Sequence, residues 1–175
     1  MTKEDLAKEI YQISHLTGEF KLRSGQVSNE YFDKYQFESE PLVLKHIANH
    51  MKDLIPFESK ILAGLEMGGI PVATALSFVT GSPAVFVRKK AKDYGTCKLA
   101  EGPDINGKTL CVVEDVVTTG GQIIESVREL RERGATIDTV ICVILRDQRA
   151  YDNLGQHGLT LKPLFTMEEI KALVQ

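Results

Sequence analysis

Two adjacent carboxylates, Glu114 and Asp115, lead through Val116 and Val117 into Thr118-Thr119-Gly120-Gly121-Gln122, the stretch of this chain best suited to chemistry. Leu110 to Val113, just before them, is a short apolar run of the kind that forms a strand buried on both faces of a parallel sheet. Ile123, Ile124, Val127 and Leu130, just after, recur at helical spacing. A hydroxyl- and glycine-rich turn between strand and helix is a phosphate cradle. Glycine lets the backbone approach, N–H groups converge, threonine hydroxyls donate, and the helix N-terminus adds positive potential. The acids serve another group, because carboxylates repel phosphate but accept hydrogen bonds from vicinal hydroxyls. The expected ligand therefore carries a phosphate and a sugar diol. The competing reading is an ordinary strand–helix turn with exposed acids.

Three further segments supply complementary groups. Lys60 to Gly64 reads as a strand running into Leu65-Glu66-Met67-Gly68-Gly69-Ile70-Pro71, with a helix from about Val72, which makes a second anion-binding corner or a plain loop. Pro83 to Val87 is a third buried strand. It opens into the most cationic stretch of the chain, with Arg88, Lys89, Lys90, Lys92 and Lys98, which reads as a long cation-tipped loop or a solvated face. Thr139 to Leu145 is another β-rich apolar run, ending at Arg146-Asp147-Gln148-Arg149.

These groups need a frame, and 175 residues favour one domain (1–175) with a real core. Thr2 to Leu16 reads as a helix capped by Thr2, and Pro41 to Leu54 as a second amphipathic helix. Ile123 to Arg133 is helical and stops at Gly134. Leu159 to Leu164 reads as a last strand, and Thr166-Met167-Glu168-Glu169 opens a closing helix with a capping-box pattern. Buried strands alternating with helices predict an α/β doubly wound, mainly parallel sheet with ligands at the strand C-terminal ends.

Composition excludes several classes. A net charge of −3, with 43% hydrophobic and 26% charged residues, suits a soluble globule and argues against general nucleic-acid binding. The three cysteines lack CxxC spacing, which suggests reduced thiols in a cytosol and no zinc site. His46 and His50 lie one turn apart without a third ligand, so they read as solvated. The charged MTKEDLAKEI is no signal peptide, and no apolar run approaches a membrane span.

The run of two acids and TTGG resembles the type I phosphoribosyltransferases, which bind phosphoribosyl pyrophosphate (PRPP). Three more stretches resemble the orotate phosphoribosyltransferases among them. FKLRSG with the later Ser28, Tyr31 and Phe32 is similar to the family's N-terminal hood (within 1–40), F-x-L-K/R-S-G then S-x-x-Y/F-F. RKKAKDYG resembles the flexible catalytic loop, and Arg146 falls, counting without gaps, on the arginine that grips the orotate carboxylate. A slip of one register, or a surface pair between Asp147 and Arg149, is the alternative.

The resemblance implies transfer of ribose 5-phosphate from PRPP to orotate, giving orotidine 5′-phosphate and pyrophosphate in pyrimidine synthesis. It implies PRPP contacts from Arg88, Lys89, Lys92, Glu114, Asp115, Val116, Val117, Thr118, Thr119, Gly120, Gly121 and Gln122. Lys92, Glu114 and Asp115 would be the catalytic set, and Arg23, Ser24, Gly25, Tyr31, Phe32, Thr118 and Arg146 would surround orotate. It also implies Mg²⁺ carried mainly by PRPP with no direct protein ligand, a cis peptide between Glu66 and Met67, and a cytoplasmic homodimer with shared loops. Two positions depart from the pattern: Gly68 stands where many orotate enzymes have lysine, and Tyr94 replaces the usual loop histidine. A purine transferase of the same fold and a PRPP-sensing regulator are the other readings, the latter disfavoured by the acidic balance.

Overall fold

A computed structural model describes residues 1–21, 25–90 and 99–174. Helix α1 (Lys3–Ser14) starts on its Thr2 cap, whose side chain accepts the Asp5 N–H, and buries Leu6, Ala7 and Ile10. Strands β1 (His15–Lys21) and β2 (Val27–Phe32) form a separate antiparallel hairpin, and α2 (Lys34–Ser39) and α3 (Pro41–Met51) follow, the latter extended by a 3-10 turn at Lys52–Leu54. The first helix is shorter than the sequence pattern predicts, because His15 and Leu16 pair with Phe32 and Tyr31 in the hairpin. Helix α2, too short to show periodicity, was not foreseen. It forms because Asp33 caps it, accepting the Tyr35 N–H, and Phe37 is fully buried.

The main sheet contains β3 (Ile61–Leu65), β4 (Ala84–Val87), β5 (Ala100–Glu101), β6 (Thr109–Val117), β7 (Thr136–Leu145) and β8 (Thr160–Thr166). Its order is β5-β4-β3-β6-β7-β8, and every pairing is parallel except that of the short edge strand β5. Between the strands run α4 (Gly69–Thr80), α5 (Gly121–Glu132) and α6 (Arg149–Gly155), and α7 (Met167–Val174) closes the chain. The last helix has its capping box: Thr166 N–H donates to the Glu169 carboxylate and Glu169 N–H to the Thr166 hydroxyl, at 2.7 and 3.1 Å.

Alternation along β6 divides the core into two layers. Leu110 and Val112 face the layer with Ile123, Val127 and Leu130 of α5, whereas Cys111 and Val113 face the layer with α1, α3 and α4. Cys111 and Cys142 are free thiols in these layers. Burial pushes the Cys111 thiol up to about 12 and raises Cys142 as well, beyond ordinary nucleophilic use. Strand β6 does not stop before its acids as the apolar run suggests. It continues through them to Val117, because Glu114, Val116 and Val117 pair with Cys142, Ile144 and Leu145 of β7.

Candidate active site

β3 and β6 are parallel neighbours at the centre of the sheet, so the turns that follow them meet at the strands' C-terminal ends. After β6, Thr118 and Thr119 are exposed, and Gly120 turns the chain with φ +82°, a left-handed conformation that favours glycine. Helix α5 then starts with no side-chain cap, so its first N–H groups are offered to a ligand. The turn is held from behind, where Asn153 of α6 donates to the Thr119 carbonyl at 3.0 Å and Arg146 N–H to the Val117 carbonyl at 2.8 Å. Gly121 and Gln122 are exposed at the mouth. Val117, expected at the ligand, buries its side chain in the core and can serve only through its backbone, while Val116 is half-buried.

After β3, the peptide bond between Glu66 and Met67 is cis, at the position the resemblance implies. Glu66 accepts the Lys89 N–H at 2.6 Å and donates its own N–H to the Val87 carbonyl at 2.9 Å, which ties this turn to the root of the cationic loop. Arg88 sits at that root with its guanidinium 3.3 Å from Glu101, and Lys89 extends its side chain into solvent. Gly69 passes so close to the Val113 carbonyl that no side chain would fit.

The acids differ in environment. Glu114 is half-buried, whereas Asp115, expected at the ligand, is 1% exposed. The Lys34 ammonium lies 2.5 Å from one Asp115 oxygen, and the other oxygen accepts the Val116 N–H at 2.5 Å. Glu38, one helical turn beyond Lys34, is also buried beside them. Burial and the bond to Asp115 push Glu38 up to about 9, and burial with the neighbouring Asp115 charge pushes Glu114 well above the carboxylate range. Burial alone would raise Asp115 too, but hydrogen bonds with Glu38 and Lys34 outweigh it and hold Asp115 below its ordinary value. The three carboxyl groups are thus pushed apart, Asp115 toward the ionised form paired with Lys34 and the other two toward the protonated form. Lys34 and Glu38 escaped sequence reasoning; the only signal was their spacing of four in a segment with no helical pattern of its own.

The hairpin overhangs the other side of the turn. Arg146, Tyr31, Phe32, Ser28 and Tyr11 line a cavity of about 310 Å³. The Arg146 guanidinium stands 5.4 Å from the Phe32 ring centroid, and the Tyr31 ring packs 5.5 Å from that of Phe20. Asp147 and Arg149 pair with each other at the surface, 2.9 Å apart, so Arg146 alone of the two arginines enters the cavity. The hairpin is moored by Glu30, which meets His15 at 2.9 Å and Lys171 of α7 at 3.7 Å. Gly25 is exposed, with φ +87°. Arg23, Ser24, Lys92 and Tyr94 lie outside the described residues.

Among the described residues no three His, Cys, Asp or Glu side chains gather in a metal-holding group, and His50 instead lies 3.2 Å from the Met1 carbonyl. No helix among them is long and apolar enough to cross a membrane.

Comparison with known proteins agrees with this geometry. The phosphoribosyl transferase domain family matches residues 36–158. An orotate phosphoribosyltransferase of Nocardioides sp. is 49% identical over 167 residues, covering 95% of this chain and 93% of the relative. One from Methanocaldococcus jannaschii is 40% identical, covering 89% and 88%. The crystal structure of Mycobacterium tuberculosis orotate phosphoribosyltransferase in complex with PRPP superposes with a TM-score of 0.82 at 26% identity, covering 97% of this chain and 98% of that one. The chain belongs to the orotate phosphoribosyltransferase family of type I phosphoribosyltransferases.

Proposed function

We propose that this protein transfers ribose 5-phosphate from PRPP to orotate, giving orotidine 5′-phosphate and pyrophosphate for UMP synthesis. The observation that carries this reading is the convergence of an uncapped helix N-terminus, two acids and an arginine-walled aromatic cavity at the C-terminal ends of the central strands. The 118–122 turn and α5 receive the 5-phosphate. Glu114 and Asp115 accept the ribose hydroxyls, and the 66–69 turn faces the pyrophosphate. Arg146 pairs with the orotate carboxylate, with Tyr31, Phe32 and Thr118 about the ring, and Arg23, Ser24 and Gly25 border the base from the hood.

The C1–pyrophosphate bond opens ahead of full bonding by the base nitrogen, leaving an oxocarbenium-like ribose. The negative field of Asp115 favours that cation. Arg88, Lys89 and Lys92 answer the charge that builds on the leaving pyrophosphate. Mg²⁺ is carried mainly by PRPP, whose phosphate and hydroxyl oxygens suit this hard cation, with no direct protein ligand. When bound there, Mg²⁺ neutralises pyrophosphate charge. The enzyme is cytoplasmic and works as a homodimer whose loops close over the partner's site. Support for pairing comes from an apolar groove between α3 and α4 at Leu44, Ile70, Pro71 and Val79, where Phe78 is 85% exposed.

A panel of bases with PRPP and Mg²⁺, monitored by pyrophosphate release, tests the reading. Turnover with orotate and none with adenine or hypoxanthine is expected. The reverse preference would overturn it.

A further inference from the structure

Lys34, Glu38, Gly68 and Asp115 form a cluster that nothing in the sequence pattern marks. Lys34 stands in the first turn of α2 and reaches across to β6, with its ammonium 2.5 Å from Asp115 and its side chain 33% exposed. Asp115 is 1% exposed and Glu38 7%, so the cation is the accessible member of the cluster. Glu38 Oε1 and Asp115 Oδ2 are both fully buried. The room for the two carboxyl groups comes from residue 68. A Cβ there would overlap the Asp115 carboxylate and stand 2.7 Å from Glu38 Oε1. The turn that faces the leaving group thus yields its side-chain volume to the carboxylate that the cation from α2 holds.

We infer that Lys34 is a positioning residue for Asp115: it holds that carboxylate in the place and orientation from which the ribose hydroxyls are met, in a space that exists only because residue 68 is glycine. Its charge also offsets Asp115 at the entrance of a site whose substrate bears phosphate and pyrophosphate. Without the ammonium, Asp115 would lie against Glu38 and Glu114 with no cation from α2, and PRPP would approach uncompensated negative charge. The other groups acting on Asp115 are Cys142 of β7, a neutral thiol, and Arg146, just past the end of that strand, and they remain in place when Lys34 is changed.

This role rests on the transferase reading, but PRPP binding measured calorimetrically without any base tests it independently of turnover. Lys34→Met is expected to weaken PRPP binding by about 10- to 100-fold, the scale of a charge-assisted hydrogen bond. The orotate KM should move far less. The acid limb of the kcat/KM profile for PRPP should shift to higher pH, since Asp115 loses the partner that holds its proton affinity down. Lys34→Arg, which keeps the charge, should recover most of both effects. Gly68→Ala supplies a second route: it leaves Lys34 intact, displaces Asp115, and should weaken PRPP binding in the same direction, so a poorly folding Lys34→Met does not end the test. Unchanged PRPP affinity and acid limb in folded Lys34→Met would overturn the role, as would equal losses for PRPP and orotate that Lys34→Arg fails to recover. If the wild type binds PRPP but does not turn over orotate, the base assignment falls, and the Lys34 comparison is read from binding alone.

Discussion

Arg146 holds its guanidinium 5.4 Å from the centre of the Phe32 ring, joining the end of β7 to the hairpin that overhangs it. The stack orients the cation toward the cavity it lines, ready to pair with an incoming carboxylate. Arg146→Ala is therefore expected to raise the orotate KM far more than that of PRPP, by the loss of a charged pair, ~2–5 kcal/mol. Steady-state kinetics with each substrate varied in turn decide this, and equal effects would move the base site elsewhere.

Asp115→Asn should reduce kcat/KM for PRPP on the order of a hundredfold, the loss of a charged hydrogen bond. The buried pair with Lys34 adds a cost in stability: the asparagine leaves the ammonium without its counter-charge. Because Lys34 is a third exposed and can rehydrate, the cost is set at ~1–3 kcal/mol, below that of breaking a fully buried pair. Chemical denaturation alongside pyrophosphate release measures both. A variant as stable as wild type would mean the pair contributes nothing to folding.

Glu38 makes stability depend on pH. Its ordinary value of 4.5 rises to about 9 in the fold, so between those values the native state binds more protons than the unfolded chain. Its stabilising contribution is complete below about 4.5 and is lost as pH rises through about 9. Glu114 shifts in the same direction. Urea midpoints should accordingly fall across this window, and Glu38→Gln, which cannot ionise, should flatten part of the slope. A wild-type slope retained in full by Glu38→Gln would place the proton elsewhere.

Shared sites make a quantitative prediction. Mixing inactive Lys92→Ala with inactive Asp115→Asn should restore activity, because a mixed dimer carries one site with both residues intact. Random pairing makes about half the dimers mixed, each with one good site of two, so recovery should approach roughly a quarter of wild type. Phe78→Glu, which charges the exposed apolar groove, should abolish this recovery and lower the mass seen by light scattering. Absence of recovery after proven subunit exchange would mean the loop acts within its own chain.

What the sequence by itself determined is local. The phosphate turn was legible because Thr118-Thr119-Gly120-Gly121 is contiguous and its backbone demands act over a few residues. The alternating apolar strands were legible for the same reason, as was the capping box at Thr166 and Glu169. Strand ends were less so: β6 runs through Glu114 and Asp115 because β7 supplies ladder partners, and no residue of β6 announces its neighbour. Only the tertiary structure decided that Asp115 is buried against Lys34, eighty-one positions earlier in the chain, and that Gly68 leaves the gap the Asp115 carboxylate occupies. Charge pairing across such a separation depends on how α2 docks over the ends of β3 and β6, and docking is set by packing around Phe37. One sequence shows which side chains can carry charge; burial and proximity, which fix how many of them do, appear only once the layers have closed.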